Sequence, residues 1–188
     1  MSTQIEEPSA AGYGTVARML HWLTVLLVAI MLGAGIAMTS EGFAAWGDQL
    51  FILHKNLGVI VFVVIVIRLA WRLFNKPAPL PATLSDRERR IAAVSHALLY
   101  ILLLAMTITG YLRVVGGGFP IEMLNALGVP PLVSRMDEIA TILSVVHKFT
   151  AYLLVAVIAT HVTAALHHAL IAQNTVMKRI WPPVAPRN

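Results

Sequence analysis

Seven histidines carry the chemistry that this sequence can offer: His21, His54, His96, His147, His161, His167 and His168. Each lies in or at the end of a long apolar segment, and none lies in a polar loop or tail. An ionisable side chain inside an apolar helix is costly and points to function by default. Four of the seven fall in one run, "VVHKFTAYLLVAVIATHVTAALHHAL", residues 145–170. His161 follows His147 by 14 residues, which on a helix is about 21 Å of rise and nearly four whole turns. The two rings therefore share one helix face at two depths. His54 starts another apolar run at the level of His147, and His21 starts a third at the level of His161. Two imidazoles from different helices, facing each other across a bundle, are what the two axial positions of a haem iron require. Zinc would need four clustered ligands, whereas these form two separated pairs. Polar contacts between helices, worth about 1 kcal/mol each, are the other use of such residues, and four rings at matched depths favour the cofactor.

Other residues fit around these pairs. Gly58 lies one turn after His54, Gly33 and Gly35 lie in the first apolar segment, and Gly110 lies in the third. A flat macrocycle needs a flank without side chains, and close helix packing by small residues is the competing use. Arg68 is 14 residues after His54, on the same face and at the depth of His21. It can pair with a haem propionate or snorkel to the interface. His96 lies near the depth of His21 and can replace it as ligand, bind a propionate or contact a quinone. His167 and His168 lie about 9–10 Å beyond His161, at interface depth, as polar anchors or quinone contacts.

The elements that must position these residues are long helices. The chain has 188 residues, 58% hydrophobic and 12% charged, against about 25% charged in soluble domains. Four apolar segments, about 17–39, 52–74, 91–113 and 141–172, each approach or exceed the ~20 residues that span a bilayer. Their continuous apolar character argues against strands. The expected fold is an all-α membrane protein, a four-transmembrane-helix bundle with its cofactors in the core. It comprises a mobile tail over 1–14, one domain over 15–180 and a C-terminal tail over 181–188. No internal repeat is evident. The polar start lacks a positive n-region and a short h-region, so no cleavable signal is read from it. "NKPAPLPATLSDRERR", 75–90, is a proline-rich loop with Ser85 as a plausible N-cap. "IEMLNAL" within the glycine- and proline-rich 114–137 reads as a short interfacial helix. The absence of cysteine excludes disulfides, thiolate metal sites and covalent haem attachment.

The net charge of +5 is distributed as membrane topology requires, not as a nucleic-acid patch. With both termini on one side, that side holds ten Lys and Arg and the other four: Lys55, Arg113, Arg135 and Lys148. Both termini are therefore expected in the cytoplasm, with the bilayer of a bacterial inner membrane around the helices and the second face in the periplasm.

The stretches "RMLHWL" (18–23), "HKNLGV" (54–59), "VIRLAWRL" (66–73), "SHALLYILLLAMTITGYL" (95–112), "VHKFTAYLL" (146–154) and "HVTAALHH" (161–168) together resemble the bacterial cytochrome b561 family. The resemblance covers nearly the whole chain after the tail. It implies two haem b groups, one held by His21 and His161 and one by His54 and His147, and quinone chemistry in the membrane. One activity it brings is superoxide oxidation with ubiquinone as electron acceptor. In that reading Lys55, Lys148, Arg113 and Arg135 would steer a small anion to the periplasmic haem. The acids Glu41, Asp48, Glu122, Asp137 and Glu138 bring that side's formal sum to −1, so steering must be local. His96, His167 and His168 would deliver protons to quinone. A non-enzymatic electron carrier serving a partner dehydrogenase or soluble cytochrome is the second reading. A haem-free transporter with a histidine proton relay is the third.

Overall fold

The computed structural model describes residues 12–76, 79–80 and 84–181. Most of both expected tails lies outside the described residues. Five α-helices follow in order: α1 (Thr15–Ala37), α2 (Gly47–Phe74), α3 (Asp86–Gly116), the short α4 (Glu122–Ala126) and α5 (Asp137–Leu166). A 3-10 stretch, Glu41–Trp46, precedes α2, and a π-helical turn, His167–Ile171, continues α5. Four of these helical stretches are long and apolar enough to cross a membrane. The fold is an all-α bundle of four such helices, as expected. All four begin two to five residues before the apolar segments, and α3 also ends three residues past its segment, because polar residues at the interface continue the backbone ladder; α1 stops at Ala37, two residues short. α3 begins at Asp86, under a capping box in which Ser85 and Glu88 satisfy each other's backbone amides.

α1 packs on α2, α2 on α3 and α3 on α5. The core is one thin apolar layer: Leu27 from α1, Val61, Val64 and Ile65 from α2, Leu102 and Leu103 from α3, and Leu154 from α5. Val61 is seven residues after His54, and Leu154 seven before His161. The layer therefore divides the two histidine levels. Outside it, Val63, Val66, Ile67 and Ile101 face outward. In water such a surface would be an aggregation site; in lipid it is the solvent-facing side.

The two ends of the described chain meet at one end of the bundle. Tyr13 N–H donates to Arg179 O (3.0 Å), Trp22 Nε1 donates to Ile180 O (2.8 Å), and the Trp22 and Trp181 rings meet edge to face at 6.1 Å. Tyr13 and Trp181 thus belong to the folded body, although the sequence assigns both to tails. The opposite end is covered by the segment 117–136, which holds α4. Replacing the capping residue, Ser85→Ala, is expected to lower stability by about 1 kcal/mol, read as a lower Tm in detergent.

Candidate functional site

At the end covered by segment 117–136, α2 brings His54 and α5 brings His147 to a common level. Their ring centroids are 6.3 Å apart and nearly perpendicular. Each ring rests on a glycine of the neighbouring helix. A Cβ on Gly35 would lie 3.2 Å from His54 Cε1, and one on Gly110 the same distance from His147 Cε1. The sequence left these glycines between the flank of a macrocycle and close helix packing; in the structure they pack closely against the histidine rings. Gly33 has open space beside it. Gly58 lies on the wall of the cavity between the rings.

The two halves use the same device. Met31 and Gly35 on α1 face His54, with the Met31 carbonyl close to the ring. Met106 and Gly110 on α3 face His147, with the Met106 carbonyl close to it. Thr109 Oγ1 also meets His147 Nδ1 at 3.1 Å, while His54 Nδ1 is buried without a well-formed hydrogen bond. A methionine four residues before a glycine, and a lysine after each histidine, were the sequence signals of this internal likeness. They are too sparse to register as a repeat without the packing.

The cavity has a volume of about 1220 Å³ and is predominantly apolar, reaching from α1 across to α5. An imidazole–metal bond of about 2 Å on each side of one ion puts two ring centroids roughly 6 Å apart, which the His54–His147 separation matches. Ring spacing and an apolar cavity large enough for a macrocycle fit a bis-histidine haem.

Four cations were expected to line this end as a funnel, and two of them are neutralised. Lys55 is buried, donates to Pro120 O at 2.7 Å and pairs with Glu122 Oε1 at 2.6 Å. Asn56 Nδ2 reaches the other Glu122 oxygen at 2.7 Å, and Asn56 Oδ1 accepts from Met123 N–H at 2.8 Å. This clasp rivets α4 to α2 over the cavity, with buried Ile121 beneath it. Arg135 pairs with Asp137 at 3.0 Å. Lys148 is exposed and Arg113 half-buried; both line the cavity, and neither has a carboxylate partner among the described residues.

At the other end His21, His96 and His161 converge with Arg68. The His96 and His161 rings are in contact at 5.4 Å, whereas His21 Nδ1 meets Arg68 Nη2 at 2.8 Å. A guanidinium only donates, so His21 Nδ1 accepts here and its ring proton lies on Nε2. Arg68 also lies over the Tyr100 ring at 5.5 Å, as does Arg72 at 6.0 Å; sequence reasoning missed this platform because its members come from α2 and α3. His168 Nδ1 meets Asn174 Nδ2 at 2.9 Å, and His167, exposed, is in ring contact with His168. Both lie on the π-helical turn, a form frequent at functional sites. Among the described residues, no three of His, Asp or Glu form a cluster of the kind that holds a lone metal ion.

The clasp has a pH signature. The Lys55 hydrogen bond to Glu122, more than any other contact, holds its carboxyl below the ordinary value of 4.5. A depressed folded value means that the clasp's stabilisation is present above the unfolded value and is lost as pH falls through the folded one. Hydrogen-exchange protection of the Met123 amide is therefore expected to persist to below pH 4.5 and then collapse. Glu122→Gln should remove that pH dependence.

Comparison with known proteins gives the family. The family model for prokaryotic cytochrome b561 matches residues 12–183. The chain is 31% identical over 170 residues to cytochrome b561 homolog 2 of Escherichia coli (strain K12), covering 89% of this chain and 90% of that protein. It is 29% identical over 168 residues to cytochrome b561 homolog 1 of the same strain, covering 87% and 93%. It is 27% identical over 162 residues to a protein of Yersinia pestis named probable superoxide oxidase CybB, covering 85% and 90%. With histidines from separate helices converging at both ends of a membrane-spanning bundle, and a family match over nearly its whole length, this chain belongs to the prokaryotic cytochrome b561 family, multi-pass membrane proteins that transfer electrons through b-type haem.

Proposed function

We propose that this protein oxidises superoxide at its loop-covered, periplasmic end and delivers the electrons through two haem b groups to ubiquinone at its cytoplasmic end, in the bacterial inner membrane. The observation that carries the reading is the face of α5. It presents His147 to one histidine partner and His161 to another, with a thin apolar layer between. Haem, when bound, supplies a one-electron couple at each level. The residues do the rest. His54 and His147 would hold the periplasmic group, their rings oriented by Gly35, Gly110 and Thr109. His161 would hold the cytoplasmic group with His21 or with His96, which is in ring contact with it, and Arg68 would be free to pair with a propionate where His21 turns to the iron. Gly58 leaves the cavity wall open. The apolar layer excludes water and keeps protons from crossing with the electrons.

The overall reaction balances as two superoxide anions losing one electron each to become dioxygen, while quinone gains two electrons and two protons. His167 and His168, on the cytoplasmic turn, and His96 are placed to deliver those protons. With Lys55 and Arg135 cancelled by Glu122 and Asp137, attraction of an anion falls to the exposed Lys148. That cancellation also supports the second reading, a carrier that takes electrons from a partner protein without enzymatic selection of a small anion.

A reduced-minus-oxidised spectrum with haem counted by pyridine hemochrome tests the core of the proposal. Two b-type haems per chain are expected, one lost in His54→Ala and the other in His161→Ala; a single haem or none would overturn it. Gly110→Leu should cost the periplasmic haem alone, because the new side chain needs the space of the His147 ring. With both haems in place, Lys148→Ala is expected to lower kcat/KM for superoxide several-fold at low salt, the difference vanishing as salt screens the charge. Haems that superoxide cannot reduce would select the carrier reading.

A further inference from the structure

Arg113 stands apart from the other charges at the periplasmic end. Lys55 and Arg135 each have a carboxylate, and Lys148 is exposed. Arg113 is half-buried on an apolar cavity wall with no carboxylate partner among the described residues. Its Nε donates to Ser144 Oγ at 3.1 Å, and Ser144 Oγ donates to Ala140 O at 2.8 Å. That chain of hydrogen bonds fixes the guanidinium without neutralising it. Arg113 is one turn beyond Gly110 on α3, and Ser144 one turn before His147 on α5, so the pair lies at the outer edge of the histidine level. Arg113, His54 and His147 line the same cavity.

A guanidinium taken out of water and left unpaired is unfavourable, and such groups persist where they meet an anion. With Nε engaged by Ser144, the terminal nitrogens remain to meet a carboxylate in the fork geometry that arginine matches. We propose that Arg113, held in place by Ser144, binds a propionate carboxylate of the haem between His54 and His147. This makes Arg113 a cofactor-binding residue rather than a substrate-steering one. The inference rests on the two-haem reading above. Steering of an anion then falls to Lys148, the remaining unpaired cation on the cavity wall. A fixed positive charge beside the cofactor favours its reduced, more negative form, so Arg113 also sets the potential of that level.

The test is a visible redox titration of the purified holoprotein, with haem counted per chain, for wild type, Arg113→Gln, Arg113→Lys and Ser144→Ala. Arg113→Gln should shift the reduction equilibrium of one haem about tenfold toward the oxidised form, a midpoint lower by about 59 mV for one electron, and leave the other haem unmoved. Arg113→Lys should keep the midpoint close to that of wild type, and Ser144→Ala should produce a smaller shift of the same sign as Arg113→Gln. Two haems with unchanged midpoints in Arg113→Gln would overturn the proposal, most directly if the salt dependence of superoxide oxidation changed instead. If Arg113→Gln loses one haem, Arg113→Lys decides: recovered haem content supports the proposal, and haem still missing assigns Arg113 to folding and overturns it. Fewer than two haems in wild type would instead refute the reading on which the inference rests.

Discussion

The rest of this structure depends on how a bundle keeps imidazole rings in a lipid-embedded core. A polar ring there is stable only if its nitrogens find partners and its faces are packed. The protein answers with backbone: Gly35 and Gly110 let α1 and α3 approach until their main chains contact the rings of His54 and His147. Those two helix pairs, α1 on α2 and α3 on α5, are also the most extensive packings in the bundle. Close approach at the glycines and placement of the rings are thus one event, and the cavity between the pairs follows from it.

The same device on both sides makes the differences between the halves informative. Lys55 and Lys148 occupy equivalent positions after their histidines. Lys55 has been taken into the clasp with Glu122 and Asn56, where it fixes the covering segment, whereas Lys148 remains exposed. A buried ammonium whose partner is a half-exposed carboxylate serves placement more than attraction, since the pair presents no net charge to an incoming anion. At the opposite end the chain termini perform the covering role. Trp22, adjacent to His21, is tied to Ile180 and Trp181, so the first turns of α1 are anchored where they must present His21 and receive Arg68. Each level is thereby covered by segments outside the spanning helices, and the apolar layer around Ile65 separates them.

What the sequence by itself determined was everything that follows from one helix at a time. Four spans follow from length and apolarity, and the depth of each histidine follows from a fixed rise of about 1.5 Å per residue. The shared face of His147 and His161 follows from the helical period. Charge pairing across the loops was not legible, because Lys55 meets Glu122 67 positions away through a turn whose geometry no local pattern specifies. The role of Gly35 and Gly110 was not legible for the same reason: a glycine shows the space it leaves, and only the neighbouring helix shows what fills it. Nor could one helix decide that His96 rather than His21 touches His161, since both lie at one depth and the choice is made by the rotation of α1 and α3 about their axes. Tertiary structure decided those contacts because side chains on different helices meet through packing, whereas depth and periodicity are properties of the single backbone.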